Sequence, residues 1–336
     1  MQIWNFTEDE NGLIIVPNDF SSVDTDGRAI ALGYFDGVHL GHRMILDRLK
    51  IIAEKQNLPA MVHTFSSIPK SKSEDIKDRT ALQLTTLTEK CNCFARAGMD
   101  ETALFPFSTQ MSSMQAMDFM QNILKDQLRA KVIVAGEDYR FGQNREGDMN
   151  LLTVWGQKND IQVHSVPPLL HDGKVISSTW IRECLKNGKT SLANALLGYP
   201  VSYEGTVQHG RHLGRTLGFP TANIVPEKGK VIPAYGVYAS ILYTKNAFYP
   251  SIANIGLRPT VNTSEVAPVI ETMVFDRKMD LYDEHVRVFL LAFIRPEYRF
   301  PDLQTLKEQA NKDMNEVRHY HDLHGHDYSI LLTGVI

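Results

Sequence analysis

Two histidines three residues apart, His39 and His42, follow an apolar run that stops at Asp36-Gly37, within the stretch ALGYFDGVHLGHRMIL over residues 31–46. At a helix start, that spacing brings both rings to one side of the exposed amino terminus. Free backbone N–H groups and the positive end of the macrodipole favour an anion there. Two imidazoles add donors that strengthen as charge builds on a phosphoryl oxygen. With Gly33, Phe35 and Asp36 in the turn before them, these residues form a candidate grip for a triphosphate. A second anion grip is Ser177-Ser178-Thr179 with Arg182 one turn further in: capping side chains, then a guanidinium on the same helix.

The other chemistry lies in the second half. Gly210-Arg211-His212-Leu213-Gly214-Arg215-Thr216-Leu217-Gly218 places three glycines in nine residues, so backbone N–H groups can close on a phosphate. Gly210, Gly214 and Arg215 are the candidates. Pro220 stiffens the exit, and Thr221 and Asn223, two apart on an extended chain, share a face. Hydroxyl and amide oxygens so placed suit a hard cation such as Mg2+. Glu271 stands in VIETMVF, where both strand faces are apolar, so its carboxylate is costly unless it opens into a cleft.

Two kinds of scaffold must hold these residues. From Arg28 to Lys186, strand-like runs at 29–35, 60–65, 102–105, 131–136 and 161–166 alternate with helical stretches near 84–97, 113–128 and 148–158. That pattern predicts parallel strands with crossover helices and a ligand at the carboxyl ends of the strands. Each candidate in this half follows such a strand. A helix over Leu192 to Leu197 stops at Gly198 and Pro200, which places the boundary between a domain at 1–186 and another at 187–336. Beyond it come YEGTVQ, YGVYASILY, FYPSIANIG, VIETMVFD and VRVFLLAF, strands without crossovers, which predict a closed antiparallel barrel. A final helix over 302–320 shows Leu303, Leu306, Ala310 and Met314 along one face and should pack on it.

Composition narrows the function class. The chain's 336 residues suffice for two cores. Its net charge of −4 gives no bulk attraction to nucleic acid or an anionic membrane, so phosphate binding must be local. Cys91, Cys93 and Cys184 are odd in number, and Cys91-Asn92-Cys93 is too tight for an ordinary bridge, which predicts reduced thiols and a cytoplasmic chain. No run approaches the roughly 18 apolar residues of a membrane span, and MQIWNFTEDE is acidic where a signal peptide would be basic. His319, His321, His324 and His326 fit no closed tetrahedral metal site and predict a solvated helix end. Oligomeric state is not legible.

GYFDGVHLGH resembles the adenylyltransferase signature of the bifunctional bacterial riboflavin kinase/FAD synthetases, a branch of the nucleotidyltransferase superfamily. ISSTWIR is similar to that superfamily's I-S-S-T-x-x-R, which implies that its helix holds the far phosphates of ATP. GEDYRFG, with Arg145 and Gly147-Asp148, resembles the family's G-x-D-F-R-F-G-x-x-R-x-G-D segment bordering the flavin, which implies flavin-side roles for Asp138, Arg140 and Phe141. GRHLGRTLGFPTAN resembles the riboflavin kinase signature almost residue for residue. The resemblance makes Glu271 the base that accepts a ribityl hydroxyl proton, and FIRPE places Arg295 on the flavin side. It implies a Rossmann-like nucleotidyltransferase domain followed by a β-barrel kinase domain with a carboxyl-terminal helix. The implied chemistry uses ATP and Mg2+: riboflavin is phosphorylated to FMN, and FMN is then adenylylated to FAD. Three departures stand out. The chain reads Thr64-Phe65-Ser66-Ser67-Ile68-Pro69 where the family has T-F-D-P-H-P, Met273 replaces a histidine, and Asp283 replaces a glycine. The first leaves open a chain in which only the kinase half is efficient; a non-enzymatic flavin or nucleotide sensor is the remaining reading.

Overall fold

The computed structural model describes residues 1–9, 14–17, 19–20, 25–66, 82–208, 221–259, 266–277 and 279–324. The chain divides into two compact units, Met1–Ser178 and Thr179–Ile336.

The first unit is built on a six-stranded sheet. In chain order its strands are β1 (Gln2–Asn5), β2 (Arg28–Leu32), β3 (Ala60–Phe65), β4 (Glu101–Phe105), β5 (Ala130–Gly136) and β6 (Gln162–Val166). All adjacent pairs are parallel, in the spatial order β1-β4-β3-β2-β5-β6. Strand β2 has every residue buried, as a central parallel strand must when both faces are covered. The crossovers include α1 (Leu40–Gln56), α2 (Leu87–Arg96) and α3 (Met149–Lys158). Two features depart from the pattern read in the sequence. The sheet does not begin at Arg28, because Gln2–Asn5 pairs with β4 as an edge strand. The helix expected over 113–128 is broken into Thr109–Ser113, Ala116–Asp118 and a π-helical segment, Phe119–Gln127.

The two ends of this sheet differ in kind. At the amino ends, the 1% exposed Arg28 donates to Glu101 at 2.6 Å, Trp4 Nε1 donates to the same carboxylate at 3.1 Å, and Phe20 lies over the guanidinium at 4.4 Å. That end is closed by a satisfied buried ion pair. The carboxyl ends of β2, β3 and β5 run out into the turns that carry the candidate residues.

The second unit opens within α4 (Ser178–Lys186), whose Leu185 carbonyl accepts from Ala234 N at 2.9 Å, and continues into α5 (Thr190–Leu197). Its strands are β7 (Ser202–Thr206), β8 (Ala222–Ile224), β9 (Gly236–Thr244), β10 (Ala247–Pro259), β11 (Val266–Val274) and β12 (His285–Pro296). They form an antiparallel sheet in the order β7-β12-β9-β10-β11-β8. The two ends of that order meet where Gln208 N donates to Asn223 O at 2.8 Å, so the sheet closes into a barrel as expected.

The last helix, α6 (Leu303–His324), packs by the face its apolar residues suggested: Leu306, Ala310 and Met314 are half-buried, and Asp313, Val317 and His321 continue that face as its buried positions, while Leu303 at the start is 62% exposed. Arg295 on β12 makes a two-pronged contact with Asp313, at 2.8 and 2.6 Å, and Gln309 supports the same carboxylate at 2.8 Å. His321 is correspondingly not a solvated side chain: its Nε2 lies 3.2 Å from the Ser251 carbonyl oxygen, and burial lowers its pKa. His319 and His324 are exposed, and His326 lies outside the described residues. Asp313→Asn should cost about 3 kcal/mol, because it leaves a mostly buried guanidinium without its anion. A calorimetric scan should show a lower barrel midpoint, while the first unit's transition stays in place.

Candidate active sites

In the first unit, the turn after β2 is strained. Phe35 has φ 54°, Val38 φ 36° and Gly37 φ 78°, so two residues with side chains occupy the left-handed region beside a glycine that adopts it freely. Packing over-determines this shape. The Phe35 ring is 1% exposed, meets Phe94 and His42 edge-on, and would sit 3.0 Å from any Cβ placed on Gly33. The Asp36 carboxylate is spent on structure: its Oδ1 accepts from Leu84 N at 2.9 Å and Thr85 N at 3.4 Å, while Gly37 N donates to Thr85 Oγ1 at 3.2 Å.

His39 is the N-cap of α1, and its Nδ1 accepts from His42 N at 3.4 Å. The two imidazoles stack with centroids 3.6 Å apart and planes 17° from parallel. Burial, then the charges of His39 and Lys90, hold the His42 pKa well below its usual value, so the ring is neutral at pH 7. Its Nδ1 is a buried ring atom with no hydrogen-bond partner among the described residues. Gly41 lets the rings lie close to the backbone, since a Cβ there would be 3.3 Å from the His39 ring. Ser178 Oγ donates to the Asp36 carbonyl oxygen at 2.9 Å, which fixes the second residue of the Ser177-Ser178-Thr179 stretch on the same turn. Thr179 and Arg182 belong to the second unit.

The GEDYRFG segment leaves β5 at the same sheet edge. Phe141 is buried, pairs with Gly147 through two backbone hydrogen bonds at 3.1 and 2.9 Å, and would be 2.6 Å from a Cβ on Gly147. Asp138 and Arg140 are exposed beside it.

In the second unit, cross-strand register does what linear spacing could not. Asn223 on β8 and Asn254 on β10 are both direct partners of Glu271 on β11, so the three polar side chains share one face of three adjacent strands. Ile270 and Thr272 on either side of Glu271 are buried on the opposite face, at 0% and 1% exposure. Thr221 immediately precedes β8. Gly210, Gly214 and Arg215 lie outside the described residues. Arg295 is engaged by Asp313 through two contacts, at 2.8 and 2.6 Å.

Comparison with known proteins decides the class. The FAD synthetase family model matches residues 21–180, and the riboflavin kinase model matches residues 197–321. A bifunctional riboflavin kinase/FMN adenylyltransferase from Escherichia coli K12 is 38% identical, covering 91% of this chain and 96% of the relative. The chain belongs to the bifunctional riboflavin kinase/FMN adenylyltransferase family. A Listeria monocytogenes member is 35% identical over 87% of this chain and 91% of its own length. A solved Streptococcus pneumoniae structure described as a macrolide-efflux protein superposes with a TM-score of 0.78 at 32% identity, covering 89% of this chain and 96% of that one. No described helix here is long and apolar enough to cross a membrane.

Several residues beside the candidate turns of the first unit were not singled out in the sequence. His63, Phe65, Phe107, Phe119 and Tyr139 join Phe141 in one aromatic cluster. Its ring centroids are 5.0 Å apart for Phe65 and Phe107, 5.4 Å for His63 and Phe119, and 5.5 Å for Phe119 and Phe141. His63 is fully buried with both ring nitrogens unpartnered among the described residues, and burial lowers its pKa to about 4. Burial likewise pushes the Tyr139 hydroxyl up. Phe119 and Phe141 belong to the first unit's hydrophobic core, and Phe65 and Tyr139 pack against it. Lys90 was also missed, although it falls on the same helical stripe as Phe94.

Proposed function

We propose that the two reactions of this family are divided between the units, with the barrel phosphorylating riboflavin and the parallel-sheet unit adenylylating FMN. The chain is a flavin-synthesising transferase with ATP and riboflavin or FMN as substrates, and the functional limits proposed are 1–186 and 187–336. The alignment of Asn223 and Glu271 in one row supports the kinase assignment most directly.

In the barrel, the terminal ribityl hydroxyl attacks the γ-phosphorus of ATP, Glu271 accepts the hydroxyl proton, and ADP leaves. The hydroxyl of Thr221 and the amide oxygen of Asn223 are hard oxygen donors that would suit Mg2+, which would neutralise phosphate charge there. Gly210, Gly214 and Arg215 are proposed for the phosphates, and Arg295 for the flavin side.

In the first unit, a phosphate oxygen of FMN attacks the α-phosphorus of a second ATP, and the bond to the β-phosphate bridging oxygen breaks as pyrophosphate leaves. That nucleophile is already anionic at neutral pH, so no base is required. His39 and His42 supply donors to the developing charge; Gly33, Phe35 and Asp36 shape the turn; and Ser177 and Ser178 take the far phosphates. Asp138, Arg140 and Phe141 border the flavin. Against the family's T-F-D-P-H-P, Ser66 and Ile68 stand where a carboxylate and an imidazole are usual, and this route needs neither as a base. A cytoplasmic location fits the three cysteines, Cys91, Cys93 and Cys184, all of them free thiols.

Incubating the pure chain with riboflavin, ATP and Mg2+ and separating the flavins by chromatography should give FMN first and FAD later. FMN alone would leave only the kinase half working, and unchanged riboflavin would overturn the proposal.

A further inference from the structure

Helix α2 carries a lysine where packing calls for an apolar residue. A reciprocal capping box starts the helix: Thr86 Oγ1 accepts from Glu89 N at 3.2 Å, and Glu89 Oε2 accepts from Thr86 N at 2.9 Å. Lys90 therefore falls in the first turn, at the positive end of the helix dipole, where a cation is disfavoured. It is 3% exposed. Its Nζ donates to the carbonyl oxygens of Phe65 at 2.9 Å and Tyr34 at 3.4 Å and sits 4.7 Å from the Tyr34 ring centre.

No carboxylate among the described residues comes within ion-pair distance of this ammonium. Asp36 attracts it from further off, with its Oδ1 already accepting from two backbone amides. Burial lowers the Lys90 pKa to about 8, against the pull of Asp36 and Cys91. Burial, an adverse dipole and the absence of a paired anion all oppose a charge here, and a methionine would serve the packing better. A residue that breaks several local rules with no stabilising return marks a functional position. The place agrees. Phe65 ends β3 and Tyr34 follows the adjacent β2, so both carbonyls lie on the sheet edge that carries His39 and His42, and the Lys90 charge acts on His42 directly.

We propose that Lys90 is the built-in countercharge of the adenylylation site: clamped on the Tyr34 and Phe65 carbonyls, it acquires its anionic partner only when the polyphosphate of ATP binds at His39 and His42. This rests on the reading of that edge as the triphosphate site. Lys90 is a positioning residue, acting through its field on the phosphates and on the neutral His42 ring rather than by touching the reacting atoms.

The test uses the full chain and follows FAD formation from supplied FMN, which isolates this site from the kinase. Lys90→Met should raise the KM for ATP about tenfold or more, the effect of one fixed charge at several ångströms. Inhibition of the same reaction by adenosine, which has no phosphate, should be unchanged, and Lys90→Arg should keep most of the ATP affinity. If ATP and adenosine weaken together, or neither does, Lys90 is structural and the proposal falls. Should Lys90→Met yield no FAD, the wild-type chain decides. Its KM for ATP should rise as pH climbs from 7 to 9.5 and Lys90 loses its proton, with adenosine inhibition flat; a flat ATP profile overturns the proposal. Facing Lys90 are Tyr34 and Asp36 from the turn after β2, His42 and its stacked neighbour His39 from α1, and Cys91 from α2. His42 is neutral throughout that range, and burial raises the Cys91 thiol. His42→Ala separates the two levels. If it leaves FAD formation intact, the site reading itself is wrong; if it cripples FAD formation while Lys90→Met leaves ATP binding unchanged, only the role of Lys90 is lost.

Discussion

Glu271→Ala should abolish the conversion of riboflavin to FMN while FAD still forms from supplied FMN. A positioned general base contributes about a hundred- to ten-thousandfold, and no other carboxylate is a direct register partner of Asn223 in the barrel. Glu271→Gln sharpens the result. Glutamine keeps the size and one oxygen of the side chain but cannot take a proton, so a loss as deep as that of alanine assigns the proton-accepting role, whereas substantial retained activity would point to a residue that only holds the cation. Both variants should leave unfolding unchanged, since Glu271 is only half-buried and its neighbours on the core face are untouched. If FMN and FAD formation fall together, the base has been misplaced.

His42→Ala should give the reverse pattern: riboflavin is still phosphorylated, and adenylylation of FMN falls by about a hundredfold or more, the usual loss for one preorganised donor to a developing oxyanion. Much of that loss should return in His42→Gln, which restores an N–H donor. Because burial and the neighbouring charges depress the His42 pKa, the ring remains neutral well below its ordinary titration range. Adenylylation should therefore show no acidic limb near pH 6.5. A limb there, absent in His42→Gln, would mean that the imidazole titrates in the open and that its stack on His39 is not the working arrangement.

These opposite phenotypes reflect how unevenly the chain's information is distributed. The parallel sheet and the barrel were both legible, because strand alternating with helix and strand following strand are local patterns with period-specific signatures. The candidate residues were legible as types, since H-x-G-H, I-S-S-T and P-T-A-N carry chemistry in short windows. The edge strand Gln2–Asn5 was not, because four residues give too little periodicity to register and its pairing with β4 spans about a hundred positions. The break of 113–128 into a π-helical segment was equally hidden: its apolar spacing fits an α-helix, and the shift that turns Phe119 towards Phe141 and His63 depends on partners elsewhere in the chain.

The sequence by itself determined the two architectures, the chemistry available at each phosphate-facing turn, and the presence of one misfit carboxylate in an apolar strand, because each follows from neighbours along the chain. Only the tertiary structure decided that Asn254 joins Asn223 beside Glu271, that Asp36 is consumed in holding the 84–85 backbone, that Arg295 is bound to a buried Asp313, and that Lys90 stands at the His39 edge with no paired carboxylate among the described residues. All four depend on register and packing between segments tens of residues apart, and register is set by burial summed over whole faces rather than by any local window.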